Sequence, residues 1–151
     1  MDLIQQLPSI ISRFKFCWLP DTDEKPAIAE LRERNIPIIN ISRMLASTID
    51  PPIPSIDLSL QVTKYFSGLL EDHATEISGY DAPVVAIQNI GIIQEPKLNL
   101  NFEKSLQDVC RSICVILIWD GKYKDGEFIQ ESDLNSQVYL SFSQPLIELS
   151  I

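Results

Sequence analysis

Basic residues are scarce in this sequence. Its 151 residues include 12 Lys and Arg against 21 Asp and Glu, which gives a net charge of −9. Proteins that hold nucleic acid by their own field cluster Lys and Arg against the phosphates, so we expect no direct nucleic-acid binding. The candidate basic residues are scattered: Arg13, Lys15, Arg32, Arg34, Arg43 and Lys64. An acidic surface instead favours solubility or contact with a basic partner.

Histidine and cysteine are also scarce. The one histidine, His73, falls in a helical pattern without an accompanying nucleophile motif, so we expect no catalytic role for it. Cys17, Cys110 and Cys114 are odd in number and match no zinc spacing. Because Cys17 and Cys114 lie in apolar runs, we expect buried free thiols, with neither a metal site nor a cofactor.

Long apolar runs are absent as well. No stretch approaches the roughly 20 apolar residues that cross a bilayer. The first residues, MDLIQQLPSII, begin with an acid and lack the basic region of a signal peptide. We therefore expect a cytoplasmic protein that has no contact with a membrane.

Short apolar segments alternate with helical patterns along the chain, which is typical of a parallel sheet covered on both faces. Strands are predicted at 14–19, 36–42, 84–87 and 113–119, and helices at 2–13, 26–34, 43–49, 57–77 and 101–111. The central strand is the one in APVVAIQNIG, residues 82–91. We predict one α/β domain over 1–151 with three layers and about four to five parallel strands in a core of about 14–121.

The C-terminal part, about 122–151, is predicted to form a hairpin and an edge strand. Asp125-Gly126 favours a tight hairpin turn, and residues 138–142 alternate in polarity like an edge strand. The tail after Pro145 is apolar. Such edges pair readily with a partner or with a second copy of the chain.

The segment between the first strand and the next helix is LPDTDEKP, residues 19–26. In a mononucleotide-binding fold this place carries the phosphate loop, G-x-x-x-x-G-K-[ST]. Lys25 falls on the lysine, but Leu19 and Glu24 replace the glycines and Pro26 replaces the hydroxyl residue that binds Mg²⁺. Glu24 resists the backbone conformation that glycine permits, and Pro26 has neither hydroxyl nor N–H.

The charge of this loop and the tip of the central strand also argue against nucleotide binding. Asp21, Asp23 and Glu24 add negative charge where a polyphosphate would lie. At the strand tip, QNIG, Gln88 and Gly91 stand where an acid would hold Mg²⁺ and a Glu would activate water. The loss of one function at two places indicates a degenerate nucleotide site. The alternative is an α/β domain that never bound a nucleotide.

Three segments carry a resemblance to a known family: IPIINISRML (36–45), VVAIQNIGIIQEPKLNLNFEKSLQDVCRS (84–112) and VILIWDGKYKDGEF (115–128). Together with their order they resemble BrxF, the small P-loop protein of type 3 BREX phage-defence systems, over most of residues 14–130. Shared features are N-I after the central strand, the E-P-K-L turn and W-D-G-K-Y. The sequence departs from the family at the phosphate loop, Gln88 and Gly91.

The resemblance implies a P-loop NTPase core of the RecA/AAA type. It also implies a part in a defence complex with a methyltransferase, an alkaline-phosphatase-like protein and a helicase. Because the departures fall on nucleotide-handling positions, we expect a non-catalytic subunit that acts through contacts with other subunits or with itself. The alternative is a divergent ATP-binding protein or weak ATPase that uses Lys25, with Asp120 or Asp23 recruited to metal. Trp18 and Trp119 end two core strands, and core packing is the default expectation for both. The alternative for Trp18 is that it fills the emptied pocket.

Overall fold

The computed structural model describes residues 2–48, 55–94, 101–131 and 136–151, so the E-P-K-L segment at 95–98 lies outside the described residues. The strands are β1 Phe16–Pro20, β2 Ile38–Asn40, β3 Thr75–Ile77, β4 Tyr80–Gln88, β5 Cys114–Trp119, β6 Lys122–Lys124, β7 Glu127–Glu131, β8 Ser136–Ser141 and β9 Ile147–Glu148. The α-helices are α1 Ala27–Glu33, α2 Ile41–Thr48, α3 Ser55–His73 and α4 Phe102–Val109.

The main sheet is mostly parallel, which confirms the predicted α/β class. Its strands lie in the order β2-β4-β5-β1-β9 and run parallel, and β3 pairs antiparallel beside β4. Every residue of β5 is buried, as a central strand covered on both faces requires. In the register, Pro20 faces Trp119 and Asn40 faces Gln88, so the carboxyl ends of these strands meet at one edge.

Both faces of this sheet are covered, as in a three-layer α/β fold. One face packs against α1 and the N-terminal segment, where Leu3, Leu7 and Leu31 are buried. The other face packs against α2, α3, α4 and a second sheet. Within the described ranges, no helix has both the length and the apolar character that crossing a bilayer would require.

The second sheet is an antiparallel meander in the order β6-β7-β8. Its first turn has Asp125 at φ 51° and Gly126 at φ 83°, the left-handed pair that a tight hairpin turn uses, so the predicted hairpin is confirmed. The hairpin does not extend the edge of the parallel sheet. A Cβ on Gly121 would lie 2.5 Å from the Ile129 carbonyl oxygen, so glycine lets the chain double back closely after β5.

The apolar tail has a structural use that the sequence alone did not predict. It forms β9 beside β1, and Leu149 is buried there. Gln6 Oε1 accepts a hydrogen bond from the Ser150 N–H at 2.8 Å, and Gln6 Nε2 donates to the Ser150 carbonyl oxygen at 2.9 Å. The tail is thus part of the parallel sheet, and a side-chain amide pairs with the backbone beyond β9.

Two helix predictions were wrong in extent. The predicted helix at 2–13 is only a 3₁₀ turn, Ile4–Gln6, because Pro8 lacks an N–H and drives Leu7 to an extended conformation with ψ 152°. The long helix ends at His73 rather than near 77. Thr75–Ile77 instead pairs with β4 through a turn at Gly79, φ 88°, and ladder hydrogen bonds outweigh helical spacing there.

Candidate functional site

A cavity of about 550 Å³ opens at the carboxyl ends of β1, β4 and β5. It is lined by Asp21, Gln88, Asn89, Ile90, Gly91, Ile118, Trp119, Asp120, Gln130, Gln137 and Tyr139. Open α/β sheets bind their ligands at this end of the strands. The cavity therefore brings together four residues singled out from the sequence, namely Asp21, Gln88, Gly91 and Asp120.

The remaining predicted site residues lie elsewhere. Leu19 is fully buried in the core between the sheet and α1. Glu24, Lys25 and Pro26 are exposed and are not among the residues that line the cavity. The cavity thus does not join Lys25 to Asp120, the pair on which the ATP-binding alternative depends.

The loop after β1 closes on itself. The N–H of Lys25 donates to Thr22 Oγ1 at 3.0 Å, and the N–H of Thr22 lies 3.4 Å from the Lys25 carbonyl oxygen. A phosphate-binding nest is formed by successive N–H groups whose residues alternate between right- and left-handed conformations. No residue of 21–26, all of them described, has a positive φ. The loop is therefore an acidic turn without a nest.

Asp21 connects this loop to its surroundings. Its N–H donates to the Trp119 carbonyl oxygen at 3.0 Å, which continues the pairing of β1 with β5. Its Oδ1 accepts the N–H of Ala27, the first residue of α1, at 3.0 Å. The free N–H groups at a helix N-terminus attract anions. Here the protein's own carboxylate satisfies one of the donors that a phosphate would otherwise meet.

The tip of β4 is locked to the junction of β2 and α2. Asn89 has φ 54°, a left-handed conformation that Asn tolerates, and its Nδ2 donates to Asn40 Oδ1 at 3.0 Å. Ser42 Oγ donates to the Asn89 carbonyl oxygen at 2.7 Å and accepts the N–H of Ile92 at 3.0 Å. These bonds fix the backbone that carries Gln88 and Gly91.

The tip of β4 differs from that of a nucleotide site in the chemistry of its side chains, and not in the space available for them. A Cβ on Gly91 would meet Ser42 Oγ at 3.9 Å, an ordinary contact, so the site has room for a side chain at that position. Within the described residues, the side-chain amide of Gln88 makes no hydrogen bond, and it lines the cavity. The tip thus offers neutral polar groups where a carboxylate pair would be needed for Mg²⁺ and water.

The second sheet supplies the opposite wall, which the sequence analysis missed. Gln130 Nε2 donates to Asp120 Oδ1 at 2.8 Å, and Gln130 faces Gln137 across β7 and β8. The ring of Tyr139 lies edge-on to Trp119 with centroids 5.6 Å apart. The pairing of β7 with β8 is irregular at Tyr139, because Phe128 pairs with Leu140 and Ile129 with Val138, and both Gln137 and Tyr139 line the cavity. Which face lines the cavity depends on how the second sheet packs, and the sequence gives no signal for that.

Core packing, the default expectation for Trp18, is confirmed, and the alternative in which it fills the pocket at the strand ends was wrong. Trp18 packs against Tyr123 and Phe128, with ring centroids 4.9 Å and 5.7 Å away, and does not line the cavity. The side chains of β1 alternate between the sheet faces, and that of Trp18 packs on the face covered by the second sheet. Its Nε1 is buried without a hydrogen-bond partner. Trp119 lines the cavity, and its Nε1 donates to the Lys122 carbonyl oxygen at 2.9 Å.

Two of the scattered cations are engaged within the protein. The buried Lys15 donates through Nζ to the carbonyl oxygens of Ser12 and Arg111 at 2.7 Å and 2.6 Å. Arg34 pairs with Asp2 at 2.6 Å and with Glu30 at 2.7 Å. In the part of the chain that the structure describes, no Lys or Arg lines the cavity.

The expectation of buried free thiols is confirmed. Cys17, Cys110 and Cys114 are buried and free, and burial raises the pKa of the Cys17 and Cys110 thiols. His73 Nδ1 lies 2.9 Å from the Leu69 carbonyl oxygen, a local contact in the last turn of α3. Over the described ranges, no group of three or more His, Cys, Asp or Glu side chains is placed to hold a metal ion.

Comparison with known proteins gives no match: no family model, no curated protein and no solved structure matches this chain. The role of the cavity therefore has to be inferred from the residues that form it. Those residues combine two carboxylates, several amides and two aromatic rings, without a cation among the described ones. Such a lining repels polyphosphates and suits hydrogen-bonding or positively charged groups.

Proposed function

We propose that this chain is a non-catalytic protein derived from a P-loop NTPase, and that it acts through protein–protein contacts in an anti-phage defence complex of the BREX type. The observation that carries the proposal is the hydrogen bond from the Ala27 N–H to Asp21 Oδ1. A carboxylate on the first helical N–H opposes a phosphate by charge and competes for its donor.

The order of the strands supports the ancestry. In RecA-type P-loop domains, one inserted strand separates the strand before the phosphate loop from the strand that carries the Mg²⁺-holding acid. Here β5 separates β1 from β4 in the same way, and the loop 21–26 and Gln88 follow those two strands. The three segments that resemble BrxF supply the defence context of the proposal.

The chemistry of the site supports the loss of catalysis. A phosphoryl-transfer site needs a lysine and backbone N–H groups on the phosphates, a Mg²⁺ ligand and a residue that positions water. Lys25 lies outside the cavity lining, Gln88 is neutral, and Gly91 has no side chain. Within the described residues, these three positions therefore do not supply the groups that phosphoryl transfer would need from them.

Calorimetric titration with ATP and Mg²⁺ tests the first half of the proposal. We expect no binding up to millimolar nucleotide, and the same result for Lys25→Ala. Micromolar binding that Lys25→Ala abolishes would overturn the proposal in favour of the ATP-binding alternative. Because Lys25 is exposed and its side chain makes no hydrogen bond or ion pair in the described structure, the variant should fold normally.

Co-purification tests the second half. A tagged chain is co-expressed with the methyltransferase, the phosphatase-like protein and the helicase of a type 3 BREX system from the same source. We expect at least one of them to co-purify, and Lys25→Ala to protect against phage as well as the unmodified chain. Failure of all three to co-purify, or loss of protection in Lys25→Ala alone, would contradict a role through protein contacts.

A further inference from the structure

The cavity is lined by two carboxylates, which follow two adjacent strands of the main sheet. Pro20 and Trp119 are paired in the register of β1 and β5, so Asp21 and Asp120, the next residues, leave the sheet from adjacent strands. Neighbouring strands lie about 4.8 Å apart. Both side chains line the cavity, and no Lys or Arg among the described residues does. The described lining therefore carries two acidic side chains and no Lys or Arg.

Each carboxylate is oriented by one hydrogen bond and keeps one oxygen available. Asp21 Oδ1 accepts the Ala27 N–H, and Asp120 Oδ1 accepts Gln130 Nε2 at 2.8 Å. Within the described residues, neither Oδ2 has a hydrogen-bond or ion-pair partner. Side chains that are already held in place lose less freedom on binding, so the two free oxygens are prepared acceptors.

The rest of the lining selects the kind of cation. Trp119 and Tyr139 offer aromatic rings, which attract cations over their faces. The amide of Gln88 offers a further oxygen acceptor. A hard metal ion needs about six or more oxygen ligands, and the described residues bring no group of three acidic or imidazole ligands together. Planar guanidinium and alkylammonium groups match carboxylates beside aromatic rings better.

We propose that this cavity binds an organic cation, a guanidinium or an alkylammonium group. The group is carried either by a free small molecule or by an Arg or Lys side chain of a partner protein. The second source deepens the proposed function and depends on it, because it places a basic partner side chain where the nucleotide site has been lost. The net charge of −9 favours the approach of such a partner.

Nuclear magnetic resonance of the ¹⁵N-labelled chain offers a direct test, because its two indole N–H signals come from Trp119 and Trp18. Only Trp119 lines the cavity, so Trp18 serves as an internal control. The probes are butylguanidinium and its neutral isostere butylurea, and a capped glycyl-arginyl-glycine peptide and its citrulline analogue. We expect the Trp119 signal to shift with both cations and with neither neutral analogue.

Variants that neutralise one carboxylate at a time test whether the cation binds at Asp21 and Asp120. Asp21→Asn and Asp120→Asn keep the oxygen that accepts the internal hydrogen bond, so both should fold. Each should weaken cation binding about ten-fold, since a hydrogen bond to a charged group contributes about that much. Asp108→Asn removes the same charge from the exposed side of α4 and should change affinity less than about two-fold, because distant surface charges are screened.

The outcomes separate the possibilities. Peptide binding much tighter than that of butylguanidinium assigns the site to a partner side chain, and similar affinities assign it to a small molecule. Equal shifts with charged and neutral probes, or shifts that persist in the double Asp21→Asn/Asp120→Asn variant, overturn the proposal. Failure here with no ATP binding leaves the proposed function standing, whereas micromolar ATP binding defeats that function whatever the cations do.

Discussion

The two walls of the cavity are built by different forces. The second sheet, on one side, is anchored by Phe128, which is fully buried among aromatic rings. The loop 21–26 contributes only Asp21 to the cavity lining; it is largely exposed and is held by a few hydrogen bonds around Asp21 and Thr22. Changes to the buried side chains of the second sheet should therefore lower the stability of the whole fold. The loop 21–26 can change its side chains at little cost to the stability of the fold, which fits the proposed loss of a phosphate loop there.

The largest effect is expected from Phe128→Ala. The ring of Phe128 lies 4.8 Å from that of Tyr123 and 5.7 Å from those of Trp18 and Trp119. Removing it leaves a cavity between the two sheets, which should lower the free energy of unfolding by about 3–5 kcal/mol. Urea denaturation measures the change.

The matched control for Phe128 is Val138→Ala on the neighbouring strand β8, where the side chain is 41 % exposed. It should lower the free energy of unfolding by less than about 1 kcal/mol. Similar losses for the two variants would show that the second sheet is not anchored through its buried rings. The contrast between the two walls would then fail.

A smaller effect is expected from Gly126→Ala in the first turn of the second sheet. Gly126 has φ 83°, and an added Cβ would lie 2.2 Å from the Phe142 carbonyl oxygen, so both the backbone conformation and the space oppose a side chain. We expect a loss of about 3 kcal/mol in the free energy of unfolding.

Gly68→Ala is the control, because nothing lies within 4 Å of an added Cβ in the middle of α3. It should raise the free energy of unfolding by about 0.5–1 kcal/mol. Thermal melting of the two variants should therefore shift in opposite directions. A stabilising Gly126→Ala would contradict the tight turn that positions the second sheet.

The sequence predicted the parallel core but not the second wall. Continuous apolar strands such as residues 113–119 allow few alternatives, because only a strand buried on both faces is apolar throughout. The turn at Asp125-Gly126 was equally clear, since both residues must adopt positive φ. The hairpin packs through Phe128 against a face of the parallel sheet and does not extend its edge. This packing depends on contacts between residues distant in sequence, which local patterns do not encode.

The candidate site was predicted in part for the same reason. Strand tips can be read from the ends of apolar runs, which gave Gln88 and Asp120. Gln130 and Tyr139 could not be found, because their position follows from the second sheet. Lys25 was matched by its spacing to the lysine of the phosphate-loop pattern, although the glycines of that pattern are absent here. Spacing alone does not predict the backbone conformation of a loop. The loop 21–26 has no residue with a positive φ, and Lys25 is not among the residues that line the cavity.

A moderate effect is expected at the loop wall from Asp21→Ala. The change removes the acceptor of the Ala27 N–H, as in the loss of a helix cap, and should lower the free energy of unfolding by about 1 kcal/mol. Asp23→Ala removes the same charge from an exposed neighbour and should leave stability within about 0.5 kcal/mol. Urea denaturation compares the two. An equal response would mean that Asp21 does not cap α1.

The smallest effect on the free energy of unfolding is expected from Lys25→Ala. A small effect would support the contrast between the exposed loop and the buried second sheet. Lys25 is exposed, and its N–H bond to Thr22 Oγ1 is a backbone bond that alanine keeps. The free energy of unfolding should change by no more than about 0.5 kcal/mol. Because the side chain does not line the cavity, the affinity for butylguanidinium should also stay within about two-fold. A large gain in cation affinity would mean that Lys25 already supplies the positive charge beside Asp21 and Asp120, and that the cavity has an internal counter-ion.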